Sequence, residues 1–315
     1  MGVTLRRVAG VVVMAALLAP GWAAGQEVQD LFVACDNISS VSKVDPSGNV
    51  TVYTASTNAA YGLAFDAGGN LYVTDPNDDS VLKVTPGDSV TTFASGLNEP
   101  ELGIAINSSG DLFVANYGNN TISEVTPEGS VSTFATGFDE PDGLAFNNNG
   151  DLFVSNFGNN TVSEVTPGGS VSTFATGFNG PAGLAFNSTG VLFVADHHNG
   201  VISEVTTGGG VSTFVSGLSS PWGLAFNGTG NLFVDDAGGT ATIFEITPEG
   251  GTSTFVTTGV GVPLSGLRGI AFGVPEPAET ATVAGVAALT AVWWRSWRRR
   301  NAKMGNSSMK PLEKS

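Results

Sequence analysis

The sequence is poor in cysteine, in positive charge and in helix-length apolar periodicity. A single cysteine, Cys35, excludes an intramolecular disulfide framework and any zinc module built on clustered cysteines. Lys and Arg number 12 against 28 Asp and Glu, a formal charge of −16. That balance argues against a nucleic-acid partner, because binding phosphates takes clustered Lys and Arg. Charged residues make up only 13% of the chain, about half the usual ~25%, which argues against a charge-laced coiled coil. The 41% hydrophobic content argues against an acidic disordered tail, which is poor in apolar residues. What is abundant is glycine, 43 residues in 315.

The two ends read as addresses rather than fold. Residues 1–25 carry Arg6 and Arg7, a short apolar core over 8–18 and the small residues Ala23-Ala24-Gly25, the pattern of a secretory signal peptide. At the other end Pro275-Glu276-Pro277 precedes an apolar run over 281–294, and Arg298, Arg299 and Arg300 follow it. The run has 14 residues, short of the ~20 that span a bilayer comfortably. Its terminal tryptophans suit a membrane interface, and the arginines suit the cytoplasmic side. The order over residues 274–300 resembles the PEP-CTERM sorting signal of Gram-negative bacteria. That resemblance implies transient membrane insertion, recognition by an exosortase and delivery to the cell surface or extracellular matrix. A plain C-terminal membrane anchor is the alternative, and the polar tail over 301–315 departs from the usual form of such signals.

Between the ends the chain counts its own repeats. A Gly-Leu-Ala-Phe phrase or close variant has its glycine at Gly62, Gly103, Gly143, Gly183, Gly223 and Gly269, at intervals of 41, 40, 40, 40 and 46 residues. A Leu-Phe-Val or Leu-Tyr-Val phrase starts at Leu31, Leu71, Leu112, Leu152, Leu192 and Leu232. Two further phrases end at Val44, Val84, Val125, Val165, Val205 and Ile246, and at Tyr53, Phe93, Phe134, Phe174, Phe214 and Phe255. Turn residues such as Asn148-Asn149-Gly150 and Thr126-Pro127-Glu128-Gly129 separate them. Four strands per ~40-residue period, six times over, predict a propeller or another stacked β array.

Phase decides between these. The chain enters on the second phrase at Leu31 and leaves on the first, at about 268–273. An opening blade lacks one strand and the chain end has one to spare. Pairing them closes a ring, hiding the edges that an open β-solenoid would expose. The prediction is an all-β, six-bladed β-propeller over 26–273, each blade of four antiparallel strands. A seven-bladed WD40 ring is disfavoured by the count and by the missing Trp-Asp dipeptide.

Pro181-Ala182-Gly183-Leu184-Ala185-Phe186, followed by Leu192-Phe193-Val194-Ala195-Asp196, resembles the NHL-repeat and SMP-30/gluconolactonase-like six-bladed propellers. The resemblance covers residues 28–273 and speaks to fold more than to function, since such propellers host enzymes and passive binders alike. It implies that the glycine phrase is the innermost strand and that the residue before each glycine lies near the mouth of the central channel. Those residues are Tyr61, Leu102 with Glu101 before it, Asp142, Ala182, Trp222 and Arg268. On an otherwise uniform scaffold this ring differs at every blade, as a ligand site would. Plugging the channel is the other role open to it.

An SMP-30-like lactonase would hold a divalent metal on an inner Glu, Asn and Asp set. Only Asp142 matches the family's Pro-Asp-Gly aspartate, and Ala182 and Trp222 offer no ligand. Glu99, Glu101, Asp139, Glu140 and Asp142 crowd equivalent loops of neighbouring blades and would attract Ca²⁺ if they converge; a solvated acidic rim is the plainer outcome. Asp75, Asn77 and Asp79 mimic the start of an EF-hand loop, but Ser80 replaces its glycine. Asp75, Asn116, Asn156, Asp196 and Asp236 share one repeat position and are expected to bond local turn backbone. Cys35, in the same position, is expected to be a half-buried thiol. The side chains of His197 and His198 are expected to diverge, leaving His197 or His198 only a general-base role in a lyase-like site.

Signal and sorting segments also mask the charge. Between residues 26 and 275 lie three basic residues, Lys43, Lys83 and Arg268, against twenty-five acidic ones, a net −22. The expected protein is therefore a secreted, strongly anionic propeller of the Gram-negative envelope. A non-enzymatic binding or scaffold role on polysaccharide or other surface proteins is expected. A metal-dependent lactonase, hydrolase or lyase at the channel mouth is the alternative.

Overall fold

The computed structural model describes residues 29–257 and 264–274. They form six four-stranded antiparallel sheets arranged as a β-propeller. Blade two is built from Leu63–Phe65, Leu71–Asp75, Ser80–Val84 and Val90–Ser95, counted outward from the centre. Blade three repeats this with Pro100–Ile106, Leu112–Asn116, Thr121–Val125 and Val131–Thr136, and blade four with Pro141–Phe146, Leu152–Asn156, Thr161–Val165 and Val171–Thr176. Blade five comprises Pro181–Phe186, Leu192–Asp196, Val201–Val205 and Val211–Ser216; blade six comprises Pro221–Phe226, Leu232–Asp236, Thr242–Ile246 and Thr252–Thr257.

Blade one closes the ring as the phase of the repeat requires. Its three outer strands, Leu31–Cys35, Ser40–Val44 and Val50–Thr54, come from the N-terminal side, and its innermost strand is Leu267–Phe272. Leu31 pairs with Phe272, Phe32 with Ala271 and Val33 with Ile270. Past the strand, the Gly273 amide still donates to the Asp30 carbonyl at 3.0 Å. The expected signal peptide and the Pro-Glu-Pro, apolar and arginine segments lie outside the described residues. Among the described residues no helix is long and apolar enough to cross a membrane.

The core is six wedges between blades rather than one centre. In five of them an aromatic of the second strand meets two others edge-on; in the sixth Tyr72 meets only Phe93, with Ile106 in place of the second ring. Phe153 lies 4.9 Å from Phe174 of its own blade and 5.0 Å from Phe186 of the next, and Phe113, Phe193 and Phe233 repeat the arrangement. Such edge-to-face pairs add about 0.5–1.5 kcal/mol each beyond their buried area. Leu152, Val154, Leu192 and Val194 fill the space between, almost wholly buried. A strand buried on both faces reads as a continuous apolar run, which explains why Leu-Phe-Val lacks alternation.

The first-phrase glycines have a steric reason. A Cβ on Gly62, Gly103, Gly143, Gly183 or Gly269 would fall on the backbone carbonyl of the next blade's inner strand. Only glycine lets the six inner strands approach this closely around the axis. The side chains that follow them, Leu63, Ile104, Leu144, Leu184, Leu224 and Ile270, are at most 8% exposed and leave a cavity of about 60 Å³ between them. They supply the aliphatic plug together with Leu102, the one residue before a glycine that lines this cavity.

Candidate functional site

In blades three to six the inner strand pairs with its neighbour at its proline and again beyond its glycine, with the register broken between the two. In blade four Pro141 faces Asn156 and Leu144 faces Val154, so Asp142 and Gly143 lie in the irregularity; blades five and six do the same with Ala182 and Trp222. Bulges of this kind re-aim a side chain away from the ladder. Blade three has one residue more between its paired positions, Glu101, Leu102 and Gly103 lying between Pro100 and Ile104, which is how two mouth residues come from one blade.

The mouth has two unlike halves. On one side the Arg268 guanidinium lies 5.0 Å from the Tyr61 ring centre and 4.9 Å from that of Trp222, flanked by the neighbouring blades. The Tyr61 hydroxyl donates to Asp36 Oδ2 at 3.3 Å, and Arg268 Nε is 4.0 Å from the same oxygen. Trp222 stacks on Phe157 at 5.9 Å and 7°. Between their blades lies Ala182, fully buried, whose small side chain leaves room for that stack. His197 lies 4.1 Å from Trp222, ring centre to ring centre, with Nδ1 3.3 Å from the Pro221 carbonyl. A carbonyl can only accept, so Nδ1 carries the hydrogen and Nε2 the lone pair. Burial holds the His197 pKa below its ordinary value.

The opposite half is acidic. Asp142 is 1% exposed and neither carboxyl oxygen has a hydrogen-bond partner. Burial, reinforced by Glu101 and opposed by Arg268 and the facing Leu102 amide, pushes its pKa up to about 8. Burial also raises Glu101, against the pull of Arg268 and with Glu99, Asp36 and Glu140 adding to it. The Tyr117 hydroxyl donates to Glu140, and burial with the surrounding carboxylates raises its pKa. Tyr61, Glu101, Asp142, Trp222 and Arg268 are thus brought to one electrostatic neighbourhood.

The five carboxylates weighed as a Ca²⁺ set are not gathered among the described residues. Glu99 packs beside Gly118 and Asp139 beside Gly158, each against the turn that follows its own blade's second strand, while Glu140 is engaged by Tyr117. Among the described residues no three His, Cys, Asp or Glu side chains are gathered to hold a metal ion. With Ala182 and Trp222 where further donors would stand, Asp142 lacks the several converging oxygens that a divalent cation wants. Asp75 and Asp79 likewise turn to separate loops, accepting from the amides of Asn58 at 3.0 Å and Glu99 at 2.8 Å.

Three smaller expectations need correction. The repeated Asp/Asn position bonds backbone, but of the loop leading into its own blade's inner strand: Asp196 accepts from Asn179 and Asp236 from Ser219, both at 2.8 Å. Cys35 is fully buried, not half-buried, and burial raises its thiol pKa. His197 and His198 do not diverge; within the short turn His197–Asn199 their rings are 5.0 Å apart and both meet Phe157.

A second ring of site residues follows the second strand: Asp36, Tyr117, Phe157 and His197. Apart from His197, sequence reasoning passed over it, although the same signal marks it. That position reads Asp36, Pro76, Tyr117, Phe157, His197 and Ala237, different at every blade.

No protein-family profile and no curated protein sequence matches the chain. Solved structures do match in fold. A propeller in the nidogen/laminin complex aligns with a TM-score of 0.69 at 19% identity, over 79% of this chain and 99% of that one. Virginiamycin B lyase from Staphylococcus aureus aligns with a TM-score of 0.58 at 16% identity, over 73% of this chain and 85% of that one. A gluconolactonase from Xanthomonas campestris aligns with a TM-score of 0.57 at 18% identity, over 64% and 77%. Identities this low carry the fold alone: the chain is a six-bladed β-propeller with structural neighbours among the gluconolactonase and NHL-type propellers.

Proposed function

We propose that this propeller is a non-enzymatic binding protein of the cell surface or extracellular matrix, and that its channel mouth takes a saccharide. The observation that carries this is the placement of Trp222, Arg268 and Tyr61 as one stacked unit beside Glu101 and Asp142. A sugar ring has an apolar face and a hydroxylated edge. An aromatic face with convergent polar groups along one side is its complement. An anionic domain with one guanidinium at the mouth favours a neutral ligand over an acidic one. The N-terminal signal and the PEP-CTERM-like end support sorting to the envelope by an exosortase. Direct binding of neutral oligosaccharides to the purified protein, lost in Trp222→Ala, tests the reading.

A hydrolase or lyase is the second reading. The unpartnered, buried carboxyl of Asp142 and the catalytic neighbours favour it; the missing ligand set weighs against it. Turnover of lactones or esters with added divalent metals, abolished by Asp142→Ala, would establish it in place of the first.

A further inference from the structure

Five of the six inner glycines touch the next blade through a carbonyl, and one does not. For Gly62, Gly103, Gly143, Gly183 and Gly269 the nearest atom to an added Cβ is the carbonyl oxygen of the residue before the next blade's glycine. For Gly223 it is Asp235 Oδ2 at 2.7 Å, followed by the Ile270 amide nitrogen and Gly269 Cα. The carboxyl stands where the Arg268 carbonyl belongs by repeat symmetry.

The fourth residue of each second strand explains the difference. It reads Ala34, Thr74, Ala115, Ser155, Ala195 and Asp235. Thr74 and Ser155 are struts between blades. Each hydroxyl accepts from its own blade's glycine, Gly62 or Gly143, at 2.7 Å. Each donates onward to the next blade, Thr74 to the Glu101 carbonyl and Ser155 to the Ala182 carbonyl at 2.6 Å. Asp235 keeps the first half, Oδ1 accepting from Gly223 at 2.8 Å. Its Oδ2 is buried and without a hydrogen-bond partner. As a carboxylate it has no hydrogen to give a carbonyl, and two oxygen lone pairs repel.

We propose that Asp235 is a positioning residue for Arg268: neutral, it donates from Oδ2 to the Arg268 carbonyl as Thr74 and Ser155 do in their blades; ionised, it drives that carbonyl out of the contact. Arg268 rides on the ring-closing strand, so the proton on Asp235 sets how the guanidinium seats between Tyr61 and Trp222. Burial raises the Asp235 pKa to about 7, against the hydrogen-bonding amides of Gly223 and Trp222 and the charge of Arg268, with Asp236 on the same strand adding to it. Cys35, on the second strand of blade one, is the other titratable group that faces it. A consequence for ligand affinity rests on the proposed binding role of the mouth; the following test does not.

The full chain is titrated between about pH 5 and 9, a span that brackets a carboxyl raised to neutrality. The readout is Trp222 emission, taken as the difference from Trp222→Phe. Wild type shows a transition centred near pH 7. Asp235→Asn and Asp235→Ser, which both retain a donor, lose it and hold the acid-form emission throughout. Asp142→Asn, His197→Gln and Glu101→Gln, which remove other groups whose titration is displaced at the mouth, keep the transition. Persistence of the transition in both Asp235 variants, their fixation at the alkaline-form emission, or its absence from wild type would overturn the proposal. The serine is already the native residue at this place in blade four, so it serves where asparagine does not fold.

Discussion

Arg268 and Trp222 form the pivot of the channel mouth: the guanidinium lies 4.9 Å from the indole centre, while Tyr61 approaches from the other flank at 5.0 Å. All three basic residues of the propeller lie over aromatic rings, Lys43 at Phe32 and Lys83 at Tyr72 and Phe93. Only Arg268 does so at the mouth, where its planar guanidinium can stack and still present hydrogen-bond donors.

Arg268→Lys therefore fails to replace arginine. It keeps the charge but loses the planar stack. Saccharide affinity is expected to fall at least ~10-fold, equal to about 1.4 kcal/mol. Urea unfolding is expected to move by less than ~1 kcal/mol, since partly exposed cation–π contacts are worth that much. Calorimetric titration and urea melts of the two proteins check both numbers.

Asp142 makes stability fall as pH rises. Its carboxyl is protonated more readily in the folded chain than in the unfolded one, with a pKa raised from 3.8 to about 8. The folded state then holds the extra proton between those values, so stability is full at about pH 4 and declines until about pH 8. The shift corresponds to an upper bound of roughly 6 kcal/mol. Asp142→Asn, isosteric and uncharged, is expected to be more stable than wild type at pH 8 and to flatten the slope, as read by urea midpoints across that range.

Gly183→Ala is expected to be severely destabilising, because its Cβ would fall on the Trp222 carbonyl of the next blade. Overpacking of backbone costs about 1–3 kcal/mol or more. Gly217→Ala meets no atom within 4 Å and has only its positive φ of 89° against it, which costs about 1 kcal/mol. The order of their urea midpoints is the measurement.

Phe153→Ala removes the ring shared by the contacts to Phe174 and Phe186. A loss of about 3–5 kcal/mol follows from the cavity it leaves. The damage spans the wedge between blades four and five, so thermal unfolding is expected to stay a single transition at lower temperature.

The architecture was legible because the chain repeats itself. Six Leu-Phe-Val phrases fixed the blade count, and the mismatch between Leu31 at one end and Gly269 at the other dictated how the ring closes. The mouth residues were legible as the one variable position beside an invariant glycine. Asp36, Tyr117 and Phe157 escaped because they follow a strand and looked like turn residues, and His197 stood out only as one of two histidines. Their reach into the mouth depends on blades packing side by side, which no single repeat reveals. Asp235 escaped for the opposite reason. It lies inside a strand, and only comparison with Thr74 and Ser155 shows that its place is a strut. Convergence of the acidic loops was the least legible feature, since sequence proximity of Glu99 and Glu101 did not disclose that alternate side chains leave in different directions.

The most direct measurement is equilibrium binding of a neutral oligosaccharide panel to the purified full-length protein, with Trp222→Ala as its partner. The account predicts saturable binding by the wild type that Trp222→Ala weakens at least ~10-fold, about 1.4 kcal/mol, without loss of fold. Binding unchanged in Trp222→Ala, or no binding together with lactone turnover that Asp142→Ala abolishes, would contradict it.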